Sequence, residues 1–141
     1  MRKYVYIGTG GAAGAILRYL ISGADISRIA NLPVNTLLIN VAGCFLLALI
    51  LTLNLENKAF SPNLSLGTAT GFLGAFTTFS TVCRQTVDLM ANGDYFSAAN
   101  YIVVSGALGF SAAGLGFVLA KKLQMKKTNK ESFTMLEEEE Q

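Results

Sequence analysis

The chain of 141 residues contains no histidine, so the commonest metal ligand and the usual general base near neutral pH are both missing. Its two cysteines, Cys44 and Cys83, stand inside apolar intervals and form neither a disulfide framework nor a zinc motif. They read as small buried hydrophobes. Charge is scarce, at 14% of residues, and carboxylates are missing from the centres of the long apolar stretches; Asp88, near the end of one, is the nearest exception. Without a deep acid or an imidazole, a proton-driven transporter has no obvious proton carrier. No nucleophile and base can be paired from the serines, cysteines and few acids, so an enzyme is not expected. The basic residues sit mostly at the chain ends and the net charge is only +2, which gives no nucleic-acid-binding face.

What is present is apolar: 52% of residues, with a mean hydropathy of +0.46. Uncharged intervals run from Lys3 to Arg18, Arg28 to Glu56, Lys58 to Arg84 and Asp94 to Lys121. The last three each exceed the roughly 20 helical residues that cross hydrocarbon, and none carries the polar stripe of a soluble helix. The expected fold is an all-α membrane protein with four transmembrane helices, at about 4–21, 34–53, 66–90 and 98–120, forming one domain over 1–120. The tail, 121–141, changes character to Lys121, Lys122, Lys126, Lys127 and Lys130 followed by Glu137 to Glu140. It reads as a charged, disordered segment.

The first span is rich in small residues, from Gly8 through Gly10, Gly11 and Gly14, and should pack closely against other helices. Its glycine run imitates a dinucleotide-binding turn, but no βαβ unit or acidic ribose ligand follows. The second span starts after Pro33 and carries Asn40 deep enough to need a partner. In the third, Gly67, Gly71 and Gly74 precede Thr77, Thr78, Ser80 and Thr81, a composition that predicts a break between Gly74 and Phe79. Irregular backbone at membrane depth is tolerated only in a protein interior or beside a wet cavity, so this break points to a transport site. In the fourth span Tyr101 and Ser105, four apart, put two hydroxyls on one face. Four spans place both termini on one side, where Arg2, Lys3, Lys58 and the tail lysines outnumber Arg28, Arg18 and Arg84. The positive-inside rule then predicts a multi-pass protein of the cell membrane with cytoplasmic termini.

A lane of Asn, Ser, Thr and Tyr suits a small anion, supplying donors without the deep well of a lysine, and the ring edges of Phe76 and Phe79 carry partial positive charge. At these residues the chain resembles the small fluoride channels (CrcB/Fluc) over nearly all of 1–120. The resemblance rests on Gly11-Ala12-Ala13-Gly14-Ala15-Ile16-Leu17-Arg18-Tyr19, on Asn35-Thr36-Leu37-Leu38-Ile39-Asn40 with Gly43 and Phe45, and above all on Gly71-Phe72-Leu73-Gly74-Ala75-Phe76-Thr77-Thr78-Phe79-Ser80-Thr81. It implies passive fluoride efflux through an antiparallel, dual-topology-type dimer with a structural sodium ion at its centre. It also implies a fluoride pathway through Asn40, Phe79, Ser80, Thr81, Tyr101 and Ser105, with Arg18 at a vestibule, and sodium held by the backbone carbonyls of Gly74 and Thr77. The partners implied are fluoride, membrane lipid and a homologous subunit in a homo- or heterodimer.

The chain departs from the family pattern at Val82, where a second phenylalanine is usual, at Gln85, where a glutamate is usual, and at Asn35, which replaces a common glycine. Val82 has no ring edge, and the charge bias opposes insertion in both orientations. Together these predict one half of a heterodimer whose partner supplies the missing ring. Two other readings compete: a four-span drug/proton antiporter, which would need an acid deep in the first span, and a membrane assembly subunit that transports nothing.

Overall fold

The computed structural model describes residues 1–23, 33–57 and 61–139, with side chains described up to 126 except at 56 and 57. Arg28 and Lys58, which enter the charge bias, lie outside the described residues. Among the described residues every element is helical. In chain order they are α1 (Arg2–Gly23), α2 (Val34–Asn57), α3 (Pro62–Ser65), a π-helical segment (Leu66–Leu73), α4 (Gly74–Phe76), α5 (Phe79–Ala91) and α6 (Tyr95–Glu139). Two stretches, Val34–Leu55 in α2 and Tyr95–Lys126 in α6, are long and apolar enough to cross a membrane.

Burial is inverted relative to a water-soluble domain. Tyr19, Phe96, Phe110 and Leu115 project outward, while Thr36, Thr78, Thr86 and Gln124 are buried. A soluble protein hides its large apolar side chains, whereas a lipid-facing helix exposes them and turns its polar groups inward.

Helix α1 crosses the π segment at backbone contact. A Cβ on Gly10 would collide with the carbonyl of Gly67, and one on Gly14 with the carbonyl of Phe72. From the other side, a Cβ on Gly71 would sit 2.5 Å from the Ile7 carbonyl oxygen. Gly10 and Gly14, like Gly67 and Gly71, are four apart and so lie on one helical face. Lipid gives apolar side chains no reason to leave it, so helix association depends on such close packing. The second main pairing sets α6 on α2, with Gly116 against the Phe45 carbonyl and Gly109 3.6 Å from Cys44 Sγ for any Cβ placed there. Gln124 Nε2 donates to the Thr52 carbonyl at 3.2 Å and ties the far end of this pair.

Asn35 Nδ2 donates to the Ile21 carbonyl at 3.2 Å, satisfying one of the acceptors that a helix end leaves open. The departure from glycine at this position thus joins the end of α1 to the start of α2. Ile39, Leu73 and Phe76 form the buried apolar centre, and the Phe72 and Phe76 rings stack with centroids 5.9 Å apart.

Between α4 and α5, Thr77 (ψ 153°) and Thr78 (φ −150°, ψ 116°) are extended, inside the interval where the sequence predicts a break. Gly93, at φ +79°, makes the tight turn into α6 that a residue with a Cβ would resist. Helix α6 continues past Lys121 to Glu139. The physical reason is that no glycine or proline follows Gly116, and Lys, Leu, Gln, Met and Glu all propagate a helix well.

Candidate functional site

The two extended residues are held by one side chain from α2. Asn40 Nδ2 donates to the Thr78 carbonyl at 3.0 Å, and the Thr78 N–H donates to Asn40 Oδ1 at 2.8 Å. The carboxamide therefore imitates a strand neighbour, giving the extended backbone an acceptor for its N–H and a second donor to its carbonyl. On the other side, Thr78 Oγ1 caps α5 by accepting from the Thr81 N–H at 3.2 Å. It also lies 3.0 Å from Thr81 Oγ1 and 3.2 Å from Ser80 Oγ.

These bonds have a consequence for two carbonyls. In a continuous helix the Thr78 N–H would close on Gly74 and the Thr81 N–H on Thr77. Both donors are turned elsewhere, to Asn40 and to the Thr78 hydroxyl. Gly74 and Thr77 thus keep carbonyl oxygens without their regular helical donors.

Beside the break lies a groove of about 780 Å³, lined by Asn40, Thr77, Thr78 and Phe79 together with Ser105 and Phe110 of α6. Most of its remaining wall is apolar, with Val82, Cys44 and Cys83 among the lining residues. Phe79 is 80% exposed and Phe110 85% exposed along it. Ser105 Oγ is buried and has no hydrogen-bond partner among the described residues, which leaves its donor unused.

One helical turn from Ser105, Tyr101 is 0% exposed and donates its O–H to Gln85 Oε1 at 2.7 Å. Gln85 Nε2 in turn donates to Thr36 Oγ1 at 3.0 Å. Gln85 also lines a second, polar cavity of about 480 Å³ with Arg84, Asp88 and Asn92. The polar side chains therefore descend from this mouth through Gln85, Tyr101 and Thr36 to Ser105, Asn40 and the break.

The structure brings Asn40, Phe79 and Ser105 together on one groove, with Ser80 and Thr81 hydrogen-bonded to the Thr78 hydroxyl at its edge. Tyr101 stands behind that wall. Arg18 is half-buried on α1 and lines neither cavity. The sequence reading passed over Thr36 as a member of this network and took Gln85 only as a departure. The missed signal was spacing: like Tyr101 and Ser105, Thr36 and Asn40 on α2 and Thr81 and Gln85 on α5 are polar pairs four apart.

A family model described as "CrcB-like protein, Camphor Resistance (CrcB)" matches residues 5–117. Among similar proteins, one named "Fluoride-specific ion channel FluC" from Sulfurihydrogenibium sp. (strain YO3AOP1) is 39% identical over 124 residues, covering 87% of this chain and 100% of the relative. Another of the same name from Maridesulfovibrio salexigens is 38% identical over 122 residues, covering 86% and 97%. A third, from Hydrogenobaculum sp. (strain Y04AAS1), is 39% identical over 114 residues, covering 81% and 93%.

Proposed function

The chain belongs to the CrcB-like family, a family of membrane ion channels and not of enzymes, and from that premise we propose that it is one subunit of a fluoride-selective channel giving passive efflux. The observation that carries this reading is the Asn40–Thr78 pair. It holds a helix interruption open beside a groove that offers one unpartnered hydroxyl and the rim of Phe79. In this reading α1, α2, the interrupted segment from 62 to 91 and α6 each cross the bilayer, with cytoplasmic termini. Fluoride sheds water against neutral donors and positive ring edges, which bind it weakly enough to release it.

The exposed apolar groove supports a second subunit, antiparallel to the first, as its cover. The chemistry of the break fits a sodium ion: the carbonyls of Gly74 and Thr77 have lost their helical donors, and unwound carbonyls are the usual ligands for this hard cation in membrane proteins. Bound there, sodium would neutralise those dipoles and brace the junction of α4 and α5. Two carbonyls are too few to enclose a cation alone, so the partner's equivalent pair completes the set. A proton antiporter finds no support, since the centre of α1 has Gly, Ala and Thr where it would need an acid.

The charge bias and Val82 favour a second reading of the assembly, a heterodimer with an oppositely oriented homologue. A fluoride electrode on liposomes tests both. The chain alone is expected to release little fluoride, and the chain with a homologue of opposite charge bias should release it rapidly in sodium and slowly when sodium is replaced by a large organic cation. Rapid release by the lone chain would remove the heterodimer and leave the channel. No release in either case would remove the channel. In whichever assembly conducts, Phe79→Ile in every subunit should cut flux by about tenfold, a loss of roughly 1.4 kcal/mol of ion stabilisation.

A further inference from the structure

The second cavity contains chemistry that the groove does not use. It opens beside Pro33 and the turn after α5, and its charged groups are Arg84 and Asp88, with Asn92 at the rim and Gln85 at the inner end. Arg84 and Asp88 are four apart on α5 and share a face, yet no ion pair or hydrogen bond to the Arg84 guanidinium is found among the described residues, and both side chains are exposed. An arginine that is not neutralised, placed in a concave polar site, projects its field into that site. Gln85 connects the site to the interior, because the same carboxamide that lines it also holds Tyr101 and Thr36.

We infer that this cavity is a vestibule whose anion-collecting power is set by Arg84 and restrained by Asp88. The carboxylate keeps the mouth from becoming a trap: it lowers the dwell of an anion near Arg84 and so permits onward passage. Arg18, the only other arginine within the described helices apart from Arg2, lines neither cavity and does not act at this mouth. That the collected ion is fluoride rests on the channel reading, whereas the sign of the local field does not.

The test reads the field directly. Ala91, exposed on the wall of the mouth, is replaced by cysteine in a Cys44→Ala, Cys83→Ala background, and the protein is placed in liposomes at low ionic strength. Modification rates are measured with an anionic and with a cationic methanethiosulfonate reagent. Arg84→Gln should slow the anionic reagent and speed the cationic one by about threefold each, so that their ratio falls about tenfold. Asp88→Asn should move the ratio the other way, Arg84→Lys should preserve it, and high salt should shrink every difference. An unchanged ratio in Arg84→Gln at low salt would overturn the inference, as would a change that salt does not diminish. Fluoride efflux is recorded in parallel from the chain paired with the homologue of opposite charge bias, and Arg84→Gln is expected to lower it about threefold at low salt. If the parent passes fluoride neither alone nor in that pairing while the reagent ratio responds as stated, the channel reading fails and the vestibule stands.

Discussion

Replacing Asn40 by alanine in every subunit of the conducting assembly is expected to bring fluoride efflux down to the level of protein-free liposomes. The alanine removes both bonds to Thr78 at once. Thr78 is buried, so its N–H would be left without a partner, at a cost of about 1–3 kcal/mol, while its C=O, the N-cap carbonyl of α5, would keep only its helical donor. The cheapest relief is for the Thr78 N–H to return to Gly74, which regularises the helix and takes away the freed carbonyl. Loss of flux should therefore come with loss of the thermal stabilisation by sodium in detergent that the proposed site at Gly74 and Thr77 predicts. Asn40→Asp separates the two roles. A carboxylate can still accept from the Thr78 N–H but cannot donate to its carbonyl, and it sets a negative charge in the path of an anion. It should retain more of the fold than alanine and conduct no better. Efflux at the parental rate from Asn40→Ala would show that the interruption is not held by this side chain.

The second large effect falls on folding. Gly14→Val should abolish recovery of a monodisperse protein from the membrane, because the new Cβ would occupy the place of the Phe72 carbonyl. Backbone cannot move aside as a flexible side chain does, so α1 would have to separate from the π segment along its whole length. That contact supplies most of what holds α1 to the remainder, in a solvent that does not drive apolar helices together. Gly8→Ala is the matched control: nothing lies within 4 Å of a Cβ there, and alanine favours a helix over glycine by about 1 kcal/mol. Size-exclusion profiles and yields of the two variants check the prediction, and a normal profile for Gly14→Val would refute it.

Much of the architecture could be read from charge and small-residue placement alone. The uncharged intervals marked where α2 and α6 would lie, because a charged side chain in hydrocarbon is costly and few are tolerated. The glycine and threonine crowding marked the interruption at Thr77 and Thr78 to within a few residues.

The roles of individual site residues were less legible. Asn40 was marked as needing a partner, but that the partner is backbone 38 residues away on another element could not be read from a linear pattern. Tyr101 and Ser105 share a helical face, yet one is sealed behind Gln85 and the other opens on the groove. Helical spacing says which residues neighbour each other along one helix, and nothing about what the facing helix presents.

From its residues alone the chain determined that it would be helical, that it would carry an apolar exterior, and where one helix would be interrupted, since these follow from the transfer cost of charge and from backbone propensity. Only the tertiary structure decided that Asn40 would bind Thr78, that the carbonyls of Gly74 and Thr77 would lose their regular helical donors, and that Arg84 would line a polar cavity. Those outcomes depend on which faces meet when glycines bring α1 and the π segment into backbone contact, and contact between distant faces is a property of packing in three dimensions.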